Sequence, residues 1–269
     1  MVVPDLVRRA ALWPTTDLPD PPPGHPYEVI RRDGFTVGVM AGMSFGSVYV
    51  EALLADGIDV ALDEARSLLV ERGMGQAAWF VSEASSPVGL AERLREGGMV
   101  PFEEPPFEPR CAAMVILDAP PGGPPEVEAR PARSFAEYRA SKRVADEAFE
   151  FSDEDRRAME AQQRILWDIE SSGGSPYRSF VAVLDGEVVG NAGAIFGANA
   201  VYLSGGSTKP GMRGRGVYRA LVRARWEAAV KAGTPALTVG AGRMSRPILK
   251  RLGFTIVGWE DCLLDRFSR

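Results

Sequence analysis

The chain is poor in the residues that most readily announce a chemistry. It has two cysteines and one histidine in 269 residues. Cys111 and Cys262 stand far apart without metal-ligand spacing, so neither a zinc site nor a disulfide scaffold is expected. His25 lies in a proline-rich stretch, "PDPPPGHP", and reads as a surface residue. A basic surplus is also missing. The net charge of −5 and the pI near 5.2 argue against a general nucleic-acid binder. The longest apolar run, residues 111–117, is too short to span a bilayer. The first residues lack the apolar core of a secretory leader. A cytoplasmic location without membrane attachment is the expectation. No Gly-Lys-Ser/Thr occurs, which excludes a Walker-type phosphate loop. "GAGRMS" at 240–245 imitates a dinucleotide fingerprint. Its helix is too short, and no acidic residue follows about twenty positions on.

The 45% hydrophobic content can fill a substantial core. The proline-glycine run at 120–125, "PPGGPP", reads as a linker between a unit at 1–119 and one at 126–269. The second unit opens with a strand near 127–132. Ser134 and Glu137 then form a capping-box signature for a helix, and Ser152 opens another. Two apolar runs flank Asp185-Gly186, the mark of a hairpin with a type I′ turn. Strands at 190–196 and 201–208 follow. After them come a helix from about 217, a short strand at 236–239 and a brief helix at 245–252. Two closing strands are read at 254–259 and 262–267. The pattern predicts an α/β fold, a mixed twisted sheet with flanking helices.

The first unit repeats part of this order. A shift of 160 residues places Gly73 on Gly233, Ser85 on Ser245 and Pro87 on Pro247. It also lays the helix at 59–72 on that at 219–232. Two such units in tandem, diverged from a duplication, are expected.

The segment with most chemical content is "TKPGMRGRGVYRALVRA", from Thr208. Glycines let N–H groups approach a ligand, and a helix start offers unpaired N–H groups and partial positive charge. Together they suit phosphate or pyrophosphate, with Arg213 and Arg215 nearby. A solvated loop and an RNA-contacting arginine–glycine segment are the competing readings.

This segment resembles the coenzyme-A pyrophosphate loop of the GNAT superfamily, the acetyl-coenzyme-A-dependent N-acetyltransferases. Thr208 and Pro210 take the places of its valine and proline. Arg213 takes that of its Arg/Gln, and Gly214 and Gly216 those of its glycines. Tyr218 stands where Gly or Ala is usual, a large ring that would crowd the pyrophosphate or stack on the cofactor. "SRPILKRLGF" resembles the last helix and Gly-Phe ending of the family. The resemblance implies acetyl-coenzyme A as cofactor, held by Ser207, Thr208, Arg213, Gly214, Arg215, Gly216, Val217 and Tyr218. It also implies two parted neighbouring strands, and Gly205-Gly206 within the strand at 201–208 suits a bulge there.

The catalytic groups are less legible. The tyrosine acid common in the family would fall at Leu249, so it is missing. Ser245 is the nearest hydroxyl, or only a helix cap; Tyr218 is a further candidate acid. Tyr202 and Ser204 share one strand face and would line the acceptor site or belong to the core and edge. No base declares itself. The acids at 147–160 border the region where the family binds its acceptor, or serve a helix N-terminus. In the first unit the shift puts Leu53 on Arg213, Ala55 on Arg215 and Asp56 on Gly216, which would repel pyrophosphate. That unit is expected to be degenerate and to cover or shape the second.

The function expected is acetyl transfer to an amine by direct attack, with a non-catalytic acyl-coenzyme-A-binding module as the alternative. The acceptor expected is a small-molecule amine, with a protein amine also open. A homodimer is left open; nucleic acid and membrane are not expected partners, and no metal is.

Overall fold

The computed structural model describes residues 2–104, 107–149 and 152–267. The first half begins with α1 (Asp5–Leu12) and the single turn α2 (Pro14–Asp17). It continues with β1 (Tyr27–Arg32), β2 (Phe35–Met40), β3 (Gly46–Ala52), α3 (Ile58–Val70), β4 (Gln76–Ser86), α4 (Leu90–Glu96), β5 (Val100–Pro101) and β6 (Arg110–Ile116). The second half contains β7 (Glu128–Pro131), α5 (Phe135–Ala148), α6 (Asp153–Ser171), β8 (Tyr177–Leu184), β9 (Glu187–Phe196), β10 (Val201–Thr208), a 3-10 turn at Pro210–Met212, α7 (Val217–Lys231), β11 (Leu237–Ala241), α8 (Arg246–Arg251) and β12 (Thr255–Arg266). This is the mixed α/β architecture read from the sequence.

Local signals explain many of the boundaries. The Ser134 hydroxyl accepts from Glu137 N (3.2 Å) at the start of α5. The Glu137 carboxylate reaches back to Arg133 N (2.8 Å) and accepts two bonds from Arg130. At the β8–β9 turn Asp185 and Gly186 have φ of 52° and 79°, as a type I′ hairpin requires. The two closing strands read from the sequence are one. The 12-residue β12 runs through both, with a register irregularity between Ile256 and Gly258. At Glu260 and Asp261, where the apolar pattern breaks, both neighbouring ladders run on without a break.

The strands join one sheet in the order β1-β2-β3-β4-β12-β6-β11-β10-β9-β8-β7, with β5 on β12. The halves repeat the order of three strands, helix, parallel strand and helix. They then exchange their last strands. β6, from the first half, pairs with β11, and β12, from the second, pairs with β4. Met114 and Ile116 of β6 accordingly pack in the core that α7 and α8 cover. The 120–125 segment lies along α7. A Cβ on Gly123 would stand 2.4 Å from Ala220 Cβ, and Arg223 donates to Pro120 O (3.0 Å). No helix of the described residues is long and apolar enough to cross a membrane.

Candidate active site

The parallel strands β10 and β11 pair only at Val201–Leu237 and Tyr202–Thr238. Beyond Tyr202 they part. The cause is visible in β10 itself. Between Ser204 and Ser207 it spends three steps against two on β9, from Gly193 to Asn191, so one residue is extra. Gly205 has φ +54°, a left-handed conformation natural to glycine. Asn191 Nδ2 donates to Gly205 O (2.8 Å) and pins the bulge. The expected glycine bulge and the parted strands are both present.

The matching strands of the first half stay closed. β3 and β4 pair continuously from Gly46–Ala77 to Val50–Val81. Past that point Leu53 N donates to Ser86 O (2.8 Å), and Ser85 Oγ donates to Val50 O (2.7 Å). These bonds stitch the place where the second half opens.

At the end of β10 the chain turns through the 3-10 element into α7. Gly214 and Gly216 take φ of 78° and 76°, and Gly216 is the N-cap. No side chain caps α7, so its first N–H groups face outward without an intrahelical acceptor. Arg213 and Arg215 are exposed beside them. A Cβ at Gly214 would meet nothing within 4 Å; at Gly216 it would stand 2.7 Å from Pro124. The first glycine therefore leaves space, and the second admits the linker.

Tyr218 turns inward. Its ring lies against Gly206, where a Cβ would come within 2.8 Å of Cε2. Its hydroxyl lies beside the buried guanidinium of Arg225, and burial raises its pKa. Arg225 donates to Leu221 O and Gly193 O (3.1 Å each) under the bulge. The ring thus supports the bulge from below, while the backbone N–H of Tyr218 stays at the helix start.

On the opposite face lies a cavity of about 420 Å³. Tyr27, Tyr49, Tyr138, Tyr177 and Tyr202 line it, five of the six tyrosines in the chain. Both halves contribute walls. Tyr202 connects the cavity to the parted strands, since a Cβ on Gly240 of β11 would stand 3.4 Å from its hydroxyl. Burial holds the Tyr202 phenol well above its ordinary pKa. Ser204, on the same strand face, is packed over Gly193 instead, and its Oγ is buried without a hydrogen-bond partner.

His25, read as a surface residue, is half-buried and stands in the wall of this cavity. Its Nδ1 accepts the Tyr27 N–H (3.0 Å), so the neutral ring carries its proton on Nε2. Burial lowers its pKa. No local pattern relates residue 25 to residue 202, although both line the cavity.

Glu260 of β12 was not among the residues singled out. It is half-buried and makes no hydrogen bond or ion pair through its carboxylate among the described residues. Burial, with Asp261 nearby, pushes its pKa up to about 7. It is close enough to act electrostatically on Tyr49, Tyr202 and Cys111. A lone acid in an apolar strand is a weak sequence signal, and the strand exchange that places Glu260 here has none.

Three of the acids at 147–160, Asp153, Asp155 and Glu160, have structural partners. Asp155 is buried and accepts from Ser44 N and Oγ (3.1 and 3.0 Å), tying α6 to the first half. Asp153 pairs with Arg156. Glu150 lies outside the described residues. Ser245 precedes α8 in a helical conformation and makes no capping bond, contrary to the cap reading; its Oγ meets Gly242 O at 3.5 Å. Leu249, at the place of the missing tyrosine, is fully buried in the core. A second cavity, of about 440 Å³, has Arg110, Arg243, Arg246 and Trp259 in its wall. Neither Tyr202 nor the 208–218 loop lines it.

Parted parallel strands, a bulge, and a glycine turn into an uncapped helix meet at one end of β10. Residues 140–254 match the model of the acetyltransferase (GNAT) family. No curated protein matches the sequence. The whole chain is similar in fold to solved structures. A GCN5-related N-acetyltransferase from Kribbella flavida superposes with a TM-score of 0.69 at 16% identity, over 98% of this chain and 96% of the other. A tandem GNAT protein from the clavulanic acid biosynthesis pathway gives 0.60 at 17%, over 99% and 89%. A GCN5-related N-acetyltransferase from Sphaerobacter thermophilus gives 0.61 at 16%, over 88% and 78%.

Proposed function

We propose that the protein moves an acetyl group from acetyl-coenzyme A directly to an amine, at one site between β10 and β11. The observation that carries this reading is the two-pair register of these strands beside the uncapped start of α7. The closed register of β3 and β4 supports a single site, with the first half as a partner.

The residues fit the cofactor. Gly214, Gly216 and the N–H groups of Val217 and Tyr218 suit its pyrophosphate, with Arg213 and Arg215 adding charge. Ser207 and Thr208 end β10, whose edge towards β11 is unpaired beyond Tyr202, and Ser207 Oγ is buried without a hydrogen-bond partner among the described residues. When bound, the cofactor supplies the acetyl thioester.

The chain's own groups then manage protons. Glu260, with a pKa raised to about 7, is matched to accept one from an ammonium near neutral pH. The buried Tyr202 phenol stays protonated and is the donor we assign to the leaving sulfur. Ser245 is the other hydroxyl assigned near that end.

The test is titration with acetyl-coenzyme A followed by thiol release over a panel of amines. Absence of cofactor binding defeats the reading. The buried Leu249 favours a second one, a non-catalytic acyl-coenzyme-A-binding module. Tight binding without thiol release on any amine would establish it.

A further inference from the structure

The acyl-transfer reading leaves the acceptor open, and the cavity beyond Tyr202 restricts it. Its floor is the sheet, where Tyr27 and Tyr49 come from the first half and Tyr177 and Tyr202 from the second. α5 and α6 form one wall, with Tyr138, Met159 and Leu166. Pro14, Leu18, Pro19, Pro21 and Pro22 belong to a strap that covers it.

This strap is tethered at two places. The Asp17 carboxylate accepts from Asn199 N (3.0 Å), Asn199 Nδ2 (2.6 Å) and Ala200 N (3.2 Å), on the β9–β10 turn. Arg31 of β1 donates to Thr15 O (2.6 Å), Leu18 O (3.0 Å) and Asp20 (3.0 Å). Four prolines restrict its backbone further. A polypeptide needs an open groove to enter and leave. A strap tied to both halves leaves less room for one along this wall, where the cavity is partly enclosed.

The charge within is small. Asp146 is the one carboxylate among the lining residues; it makes no ion pair among the described residues, though Arg156 and Lys142 act on it electrostatically. Arg31 is occupied by the strap. Lys142 Nζ stands over the rings of Tyr138 (4.7 Å) and Tyr177 (5.5 Å), so these faces already receive a cation. A polyamine would need several carboxylates. The volume suits a small molecule, and aromatic walls reward an apolar body.

We infer that the acceptor is a small primary amine with an apolar, aromatic body, held in the tyrosine cavity under the 14–22 strap. This inference rests on the acyl-transfer reading for its consequence, but the cavity can be tested without turnover.

The experiment is calorimetric titration of the full chain with phenethylamine, spermidine and a short lysine-containing peptide as probes. Phenethylamine is expected to bind at least about 10-fold more tightly than the others. Met159→Trp, which fills the cavity from α6, should weaken it about 10-fold or more and leave acetyl-coenzyme A affinity unchanged. Gln162→Trp serves on the same wall if Met159→Trp does not fold. Tighter binding of spermidine or peptide, or unaltered phenethylamine binding in the folded Trp variant, overturns the inference. Loss of acetyl-coenzyme A binding in the parent protein would instead overturn the acyl-transfer reading, and the amine titrations would still report on the cavity.

Discussion

The hydroxyl of Tyr202 stands over Gly240, where a Cβ would be 3.4 Å away, just past the last residue pair joining β10 to β11. One phenol thus spans the opening between two parallel strands and also forms part of the cavity wall. Tyr202→Phe removes the hydroxyl and keeps the ring. It should lower kcat about 100-fold, as loss of a general acid commonly does, with acetyl-coenzyme A affinity changed less than twofold. Steady-state rates and cofactor titration measure both; an unchanged kcat removes Tyr202 from the proton path.

The two glycines of the turn should respond differently. Gly214 has open space and a left-handed backbone that aspartate tolerates. Gly214→Asp should fold normally and bind acetyl-coenzyme A at least about 10-fold more weakly, because a carboxylate would face the pyrophosphate. At Gly216 a Cβ meets Pro124 at 2.7 Å, so Gly216→Ala should lower Tm as well. Normal cofactor affinity in Gly214→Asp would place the anion site elsewhere.

Glu260 gives a pH prediction. The rate should rise with pH through about 7 as its carboxylate forms, and Glu260→Gln should flatten that limb. Stability should run the other way. Its folded pKa lies above the unfolded value near 4.5, so the folded state keeps the proton that the unfolded state releases. The protonated form favours folding, and that contribution falls away between about pH 4.5 and 7. Relative to the parent, Glu260→Gln should therefore gain more Tm at pH 8 than at pH 5. Equal shifts at both pH values would contradict the raised pKa.

Strand exchange makes β6 part of the second half's core. Met114 is fully buried there, although it lies outside the matched segment 140–254. Met114→Ala should cost about 2–5 kcal/mol and shift one cooperative unfolding transition. A fragment beginning at residue 123 lacks β6 and β4. It leaves β11 and β12 with unpaired edges and should aggregate on expression. A soluble, active fragment would show that the exchange is dispensable.

How far the sequence reaches can be followed through particular residues. The hairpin at Asp185-Gly186, the cap at Ser134 and the glycine turn before α7 are local, and short spacing specifies each of them. Gly205-Gly206 pointed to the bulge for the same reason: no other pair of residues in that strand so readily adopts it. Leu249 announced a missing acid because its position is set by the Gly-Phe ending, whose glycine lies four residues later.

The cavity had no such signature. Tyr27, Tyr49, Tyr138, Tyr177 and Tyr202 are scattered over 175 positions and meet only because two halves share one sheet. His25 and Glu260 reach the site through long-range pairing, one beside β1 and one on the exchanged strand. By itself the sequence determined the glycine turn before α7, the helix caps and most of the order of the elements, since these depend on turn chemistry and periodicity within short windows. Only the tertiary structure decided which strands part, which carboxylate is desolvated and which residues line the tyrosine cavity. Those depend on register and burial between residues that the chain keeps far apart.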